Sequence, residues 1–129
     1  MPPSTPDDRT VARARPFVVC TLPTYNEAGN IVPLAREILA LDPTWHVIVI
    51  DDDSPDGTWK LVAEESKREP RLHLLHRTHD RGRGRSGRDG FVQALAMGAD
   101  VVIEMDADFS HQPRYIPELI ATLQGSGGR

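Results

Sequence analysis

The stretch His46-Val47-Ile48-Val49-Ile50-Asp51, continued by Asp52-Asp53-Ser54-Pro55-Asp56-Gly57 and then Thr58 to Arg68, decides the fold. Aliphatic residues run without polar alternation from Val47 to Ile50, the pattern of a strand buried on both faces of a sheet. The polar turn that follows places Asp56 to cap a helix beginning near Thr58, and Asp56 and Gly57 are read as turn and cap residues. Working outward, the same strand–helix unit recurs. Pro16 to Leu22 reads as a strand, Ile31 to Leu41 as a helix, Arg71 to His76 as a third strand and Arg88 to Gly98 as a helix closed by Gly98. Val101 to Met105 reads as a fourth strand and Tyr115 to Gln124 as a last helix. This alternation implies an α/β fold, a mostly parallel sheet flanked by helices.

Composition narrows the classes of function. The 129 residues suffice for one domain at most, and 26% charged with 39% hydrophobic residues is an ordinary soluble balance. No apolar run approaches the roughly 20 residues that span a bilayer. A net charge of −4 gives no global drive towards nucleic acid or anionic membrane. Cys20 is the single cysteine, which excludes an internal disulfide, and its place in an apolar strand reads as a small buried hydrophobe. Residues 1–15, with Pro2, Pro3 and Pro6 among charges, lack the apolar stretch of a signal peptide and are expected to form a disordered lead-in. A cytoplasmic location, at the cytoplasmic face of a membrane, is expected. Residues 125–129 are expected to be a flexible tail, leaving 16–124 as an incomplete folded domain.

Three polar segments fall at strand ends: Pro23-Thr24-Tyr25-Asn26-Glu27, Asp51 to Gly57, and Asp106-Ala107-Asp108. In open parallel sheets ligands gather at the carboxyl ends of the strands, where strand order reverses. Six acids collect there: Glu27, Asp51, Asp52, Asp53, Asp106 and Asp108. Carboxylates as close as those of Asp106 and Asp108 repel by about 1 kcal/mol in water and about 4 kcal/mol at an effective dielectric near 20. A hard divalent cation such as Mg²⁺ or Mn²⁺, which takes one or two protein carboxylates with phosphate oxygens and water, removes that cost. A solvated acidic turn is the plainer reading of Asp-x-Asp taken alone.

Arg77 to Arg88 holds arginines 77, 81, 83, 85 and 88 among glycines, ahead of a helix. Arginines and exposed amides at a helix start suit phosphate oxygens, and Arg81 and Arg85 are candidate phosphate contacts. Peripheral membrane contact is a second use, and a solvated loop a third. Arg81-Gly82-Arg83-Gly84-Arg85 also imitates an RNA-binding segment, but no aromatic residue is interleaved to stack bases. Asp52-x-Ser54-x-Asp56-Gly57 imitates the start of a calcium loop, yet its twelfth position is Ala63 and a strand precedes it. Histidines 46, 73, 76, 79 and 111 form no ligand pattern; His73 and His76 point to opposite faces of a strand.

Taken together, Pro23 to Glu27, Asp51-Asp52-Asp53-Ser54-Pro55-Asp56-Gly57-Thr58, Gly82 to Phe91 and Met105-Asp106-Ala107-Asp108-Phe109-Ser110-His111 resemble the family 2 glycosyltransferases of GT-A fold, and among them the polyprenol-phosphate (dolichol-phosphate) mannosyltransferases. The resemblance implies that Pro23, Tyr25, Glu27, Ile50 and Asp52 hold the nucleotide of GDP-mannose. It implies that Met105 and Ala107 lie against the nucleotide-sugar and that Asp106 and Asp108 carry the metal on its diphosphate; among the histidines, His111 is the candidate to stand behind such a metal. The implied reaction moves mannose to a polyprenyl (dolichyl) phosphate by direct displacement with inversion. That acceptor phosphate, with a second pKa of about 6, is largely anionic at neutral pH and needs no general base, so no catalytic residue is assigned. Relatives usually carry Gly-Leu-Gly where this chain has Gly82-Arg83-Gly84, and continue into an acceptor-binding half. A non-catalytic or truncated nucleotide-sugar binder and a UDP-glucose-using polyprenyl-phosphate glycosyltransferase are the alternatives.

Overall fold

In a computed structural model, which describes residues 16–79, 81–108 and 112–125, strands and helices alternate along the chain. The elements are β1 (Val18–Thr24), α1 (Ile31–Ala40), β2 (His46–Asp51), α2 (Thr58–Ser66), β3 (Leu72–His76), α3 (Arg83–Ala96) and β4 (Val101–Glu104). A 3₁₀ turn (Pro113–Tyr115) then leads into α4 (Ile116–Gly125). The expected lead-in 1–15, most of the expected tail and the motif residues Phe109, Ser110 and His111 lie outside the described residues.

The four strands form one parallel sheet in the order β3-β2-β1-β4. Strand order therefore reverses between β1 and β4, and the register sets Thr24 beside Asp51 and Thr21 beside Glu104. Successive side chains enter opposite layers, as the period of a strand requires. Val18, Cys20, Leu22, Val47, Val49 and Ile103 join the larger core with Ile31, Leu34, Ile38, Val62, Ile116 and Ile120. Val19, Ile48 and Ile50 face the other way and meet Ala94 of α3. Burial of Cys20 pushes its thiol up to about 12, consistent with a packing role. Arg36 of α1 grips Glu65 of α2 with two hydrogen bonds of 2.8 Å each. Among the described residues no helix is long and apolar enough to cross a membrane.

One boundary departs from the expectation. The helix expected from Arg88 begins at Arg83, so most of the Arg/Gly segment is helical. Gly84, Gly87 and Gly90 disfavour a helix locally, each by about 1 kcal/mol relative to Ala. Packing reverses the preference: a Cβ on Gly90 would stand 2.5 Å from Ile50 Cδ1 and 3.4 Å from Thr21 Cβ, so glycine lets α3 lie against the sheet. Ser86 fastens the first turn, its main-chain N–H and its Oγ both donating to the Gly82 carbonyl, at 2.9 and 3.0 Å.

Candidate active site

The loops after β1 and β2 are stitched into one unit. The N–H groups of Asn26, Glu27 and Ala28 donate to Ser54 Oγ, Thr58 Oγ1 and Asp56 Oδ2 at 2.9, 2.9 and 3.0 Å. Asp51, fully buried, accepts from Thr24 Oγ1 and Ser54 Oγ at 2.6 Å each, and from the Ser54 N–H at 2.9 Å. Asp56 accepts from the Thr58 N–H at 3.0 Å as a turn residue, but the N-cap position of α2 is taken by Gly57 and not by Asp56. Desolvation of this exposed carboxyl raises its pKa, but the hydrogen bonds from Thr58 and Ala28 outweigh this and leave it below the usual carboxylate range. Asn26 and Asp53 both adopt the left-handed backbone conformation, with φ of 58° and 57°, strain that clusters where a loop must present its side chains. Asp53 is met by His76 Nε2 at 2.7 Å, and the His76 ring stacks on Trp59 with centroids 4.1 Å apart.

The six acids of the sheet edge thus divide. Asp51 and Asp53 serve the loop. Ser54 and Asp56 are also committed to the loop, so no calcium-loop arrangement forms. Glu27, Asp52, Asp106 and Asp108 line an open cleft of about 530 Å³ together with Pro23, Thr24, Tyr25, Ala107, Arg81, Gly82 and Ser86. It sits outside the carboxyl ends of β1 and β4, at the reversal of strand order, where open α/β sheets bind ligands. Four carboxylates against one arginine among the lining residues make its wall suited to a cation. Among the described residues no group of three or more His, Cys, Asp or Glu is placed to enclose a metal.

Several expected site residues stand elsewhere. The Ile50 side chain is fully buried between the sheet and α3, and Met105 packs in the larger core beside Ile103 and Ile116. Neither is among the residues lining the cleft, nor is Arg85. Arg81 does line it, and its Nη1 donates to the Asp52 carbonyl at 3.4 Å. Arg77 is no loop cation: it is 7% exposed and ion-paired with Asp52 and Asp89, so it is not available to a phosphate. The reading missed Ser86, whose spacing of four from Gly82 was the available signal, and Thr24, whose signal was its place opposite Asp51.

Comparison with known proteins settles the lineage. The family model described as glycosyl transferase family 2 matches residues 20–127. The chain belongs to that family. It is 38% identical over 107 residues to the undecaprenyl-phosphate mannosyltransferase of Micrococcus luteus, covering 83% of this chain and 44% of that one. It is 36% identical over 115 residues to the polyprenol monophosphomannose synthase of Mycolicibacterium smegmatis, covering 88% and 43%. Among solved structures it superposes with TM-score 0.59 and 32% identity on the mannosyltransferase PcManGT from Pyrobaculum calidifontis in complex with GDP-Man and Mn²⁺, covering 73% of this chain and 28% of that one. The fold of this family 2 chain is GT-A, of which it carries the N-terminal part. It spans less than half the length of these curated relatives.

Proposed function

We propose that this family 2 chain forms the donor side of a glycosyltransferase that moves mannose from GDP-mannose to a polyprenyl phosphate with inversion at the sugar carbon. The observation that carries the reading is the cleft at the switch point, where the Pro23 to Glu27 loop, Asp52 and the Asp106 to Asp108 segment converge. Pro23, Tyr25, Glu27 and Asp52 would hold the nucleotide, and Ala107 would lie against the sugar diphosphate. Asp106 and Asp108 would hold Mg²⁺ or Mn²⁺ there, and the metal would neutralise charge developing on the departing nucleoside diphosphate. Arg81 and the exposed start of α3 would face phosphate oxygens.

The names of the mannosyltransferase relatives, and the ligands in the PcManGT complex, support this donor and acceptor over UDP-glucose. The acceptor side and peripheral membrane contact belong to the same proposal, as does a cytoplasmic setting. Titration of GDP-mannose and UDP-glucose into the chain, with Mn²⁺ and with chelator, tests it. Selective metal-dependent binding of GDP-mannose is the expected outcome, and failure of a folded chain to bind it would overturn the reading.

A further inference from the structure

Arg77 follows β3 and buries a guanidinium against two carboxylates from different elements. Its Nη1 faces Asp52 Oδ1 at 3.3 Å, and its Nε lies 3.1 Å from Asp89 Oδ2 on α3. Its N–H donates to the Asp51 carbonyl at 2.8 Å and its Nη2 to the His79 carbonyl at 3.3 Å. The cation therefore joins the loop after β2 to the helix that walls the cleft. Asp52 Oδ1 is shut off from solvent and makes no hydrogen bond among the described residues, while Oδ2 accepts from the Gly82 N–H at 2.7 Å. A carboxylate enclosed in this way is held in its direction by the fixed cation beside it. A planar fork can serve two carboxylates at once, which an ammonium does less well.

We propose that Arg77 is a positioning residue of the donor cleft: by bridging Asp52 to Asp89 it fixes the Asp52 carboxylate and, through Gly82, the start of α3. The inference rests on the reading of Asp52 as a donor-binding residue. The charged groups set around Asp52 are Asp51 at the end of β2, Arg77 with Asp89 behind it, Arg81, and Glu27, Asp106 and Asp108 of the same cleft.

The test compares wild type with Arg77→Met, Arg77→Lys and Asp89→Ala by two readouts. In the ligand-free chain, nuclear magnetic resonance follows the chemical shift and the exchange of the Gly82 amide, which is bonded to Asp52. Calorimetry then measures GDP-mannose binding with Mn²⁺. Arg77→Met is expected to move the Gly82 amide shift, to speed its exchange and to weaken donor binding about tenfold. Arg77→Lys should recover part of the loss. A folded Arg77→Met chain with unchanged affinity, or with unchanged Gly82 exchange, overturns the inference. If Arg77→Met does not fold, Asp89→Ala decides, because its side chain is 49% exposed and its loss leaves the core intact. Weaker donor binding and faster Gly82 exchange at the wild-type melting temperature support the bridge, and wild-type values of both overturn it. If wild type binds no donor, the functional reading fails, and the ligand-free readouts alone uphold or overturn the role of Arg77.

Discussion

Gly90 and Ile50 meet so closely that a methyl group on the glycine would lie 2.5 Å from Ile50 Cδ1 and 3.1 Å from Cγ1. This contact sets how near α3 lies to the sheet, and α3 carries Gly82 and Ser86 to the cleft. Gly90→Ala is expected to destabilise the fold by about 1–3 kcal/mol through overpacking. Ile50→Val removes the clashing methyl, so the double substitution should lose less than the sum of the two single ones, a coupling that urea unfolding of all four proteins measures. Strict additivity would show that the contact does not set the distance.

Asp51 and Asp108 are acids of the same sheet edge with opposite expected phenotypes. Asp51 is buried and accepts three hydrogen bonds that hold the loops after β1 and β2. Asp51→Ala should cost about 3 kcal/mol, since it strands the Thr24 and Ser54 donors. Asp108 is exposed and its replacement by Asn should leave the unfolding free energy in urea within the ordinary surface range of about 0.5 kcal/mol. Equal destabilisation by both would contradict the division of the acids into loop-building and cleft-lining sets.

A histidine pair far from the cleft gives the fold a pH dependence. His46 Nδ1 and His73 Nε2 are 2.8 Å apart with stacked rings. Burial, then the neighbouring His73, holds His46 below the ordinary histidine value, and burial lowers His73 likewise. Below pH about 6.5 the unfolded chain takes up protons that the folded pair resists, so stability should fall as pH drops below that value and level off once the folded pair has titrated. Melting temperatures between pH 8 and pH 5 check this. His73→Gln should flatten the slope, and an unchanged slope would assign it to other groups.

The strands were legible because β1 and β2, buried on both faces, read as largely apolar runs, and β4, at the sheet edge and only partly buried, still opens on Val101-Val102-Ile103. The polar loops were legible as sites because they gather acids at strand ends. Which acids build the loops was not: Ser54 beside Asp51 is a local partner, but Thr24 for Asp51 and His76 for Asp53 come from distant segments that spacing alone cannot show. The beginning of α3 was hidden for the opposite reason. Its glycines speak against a helix locally, and only Ile50 and Thr21, far away in sequence, explain why glycine is wanted at position 90. Arg77 was hidden among exposed arginines, and burial against Asp52 and Asp89 distinguishes it from them.

The central claim is that Asp106 and Asp108 hold a divalent cation for a GDP-mannose site formed by the loops after β1, β2 and β4. It is tested most directly by calorimetric titration of GDP-mannose into the chain with Mn²⁺, with chelator, and into Asp108→Asn. The account predicts binding by wild type with Mn²⁺ and its loss both in chelator and in the folded Asp108→Asn protein. Equal affinity for wild type and Asp108→Asn, or binding indifferent to the metal, would contradict it.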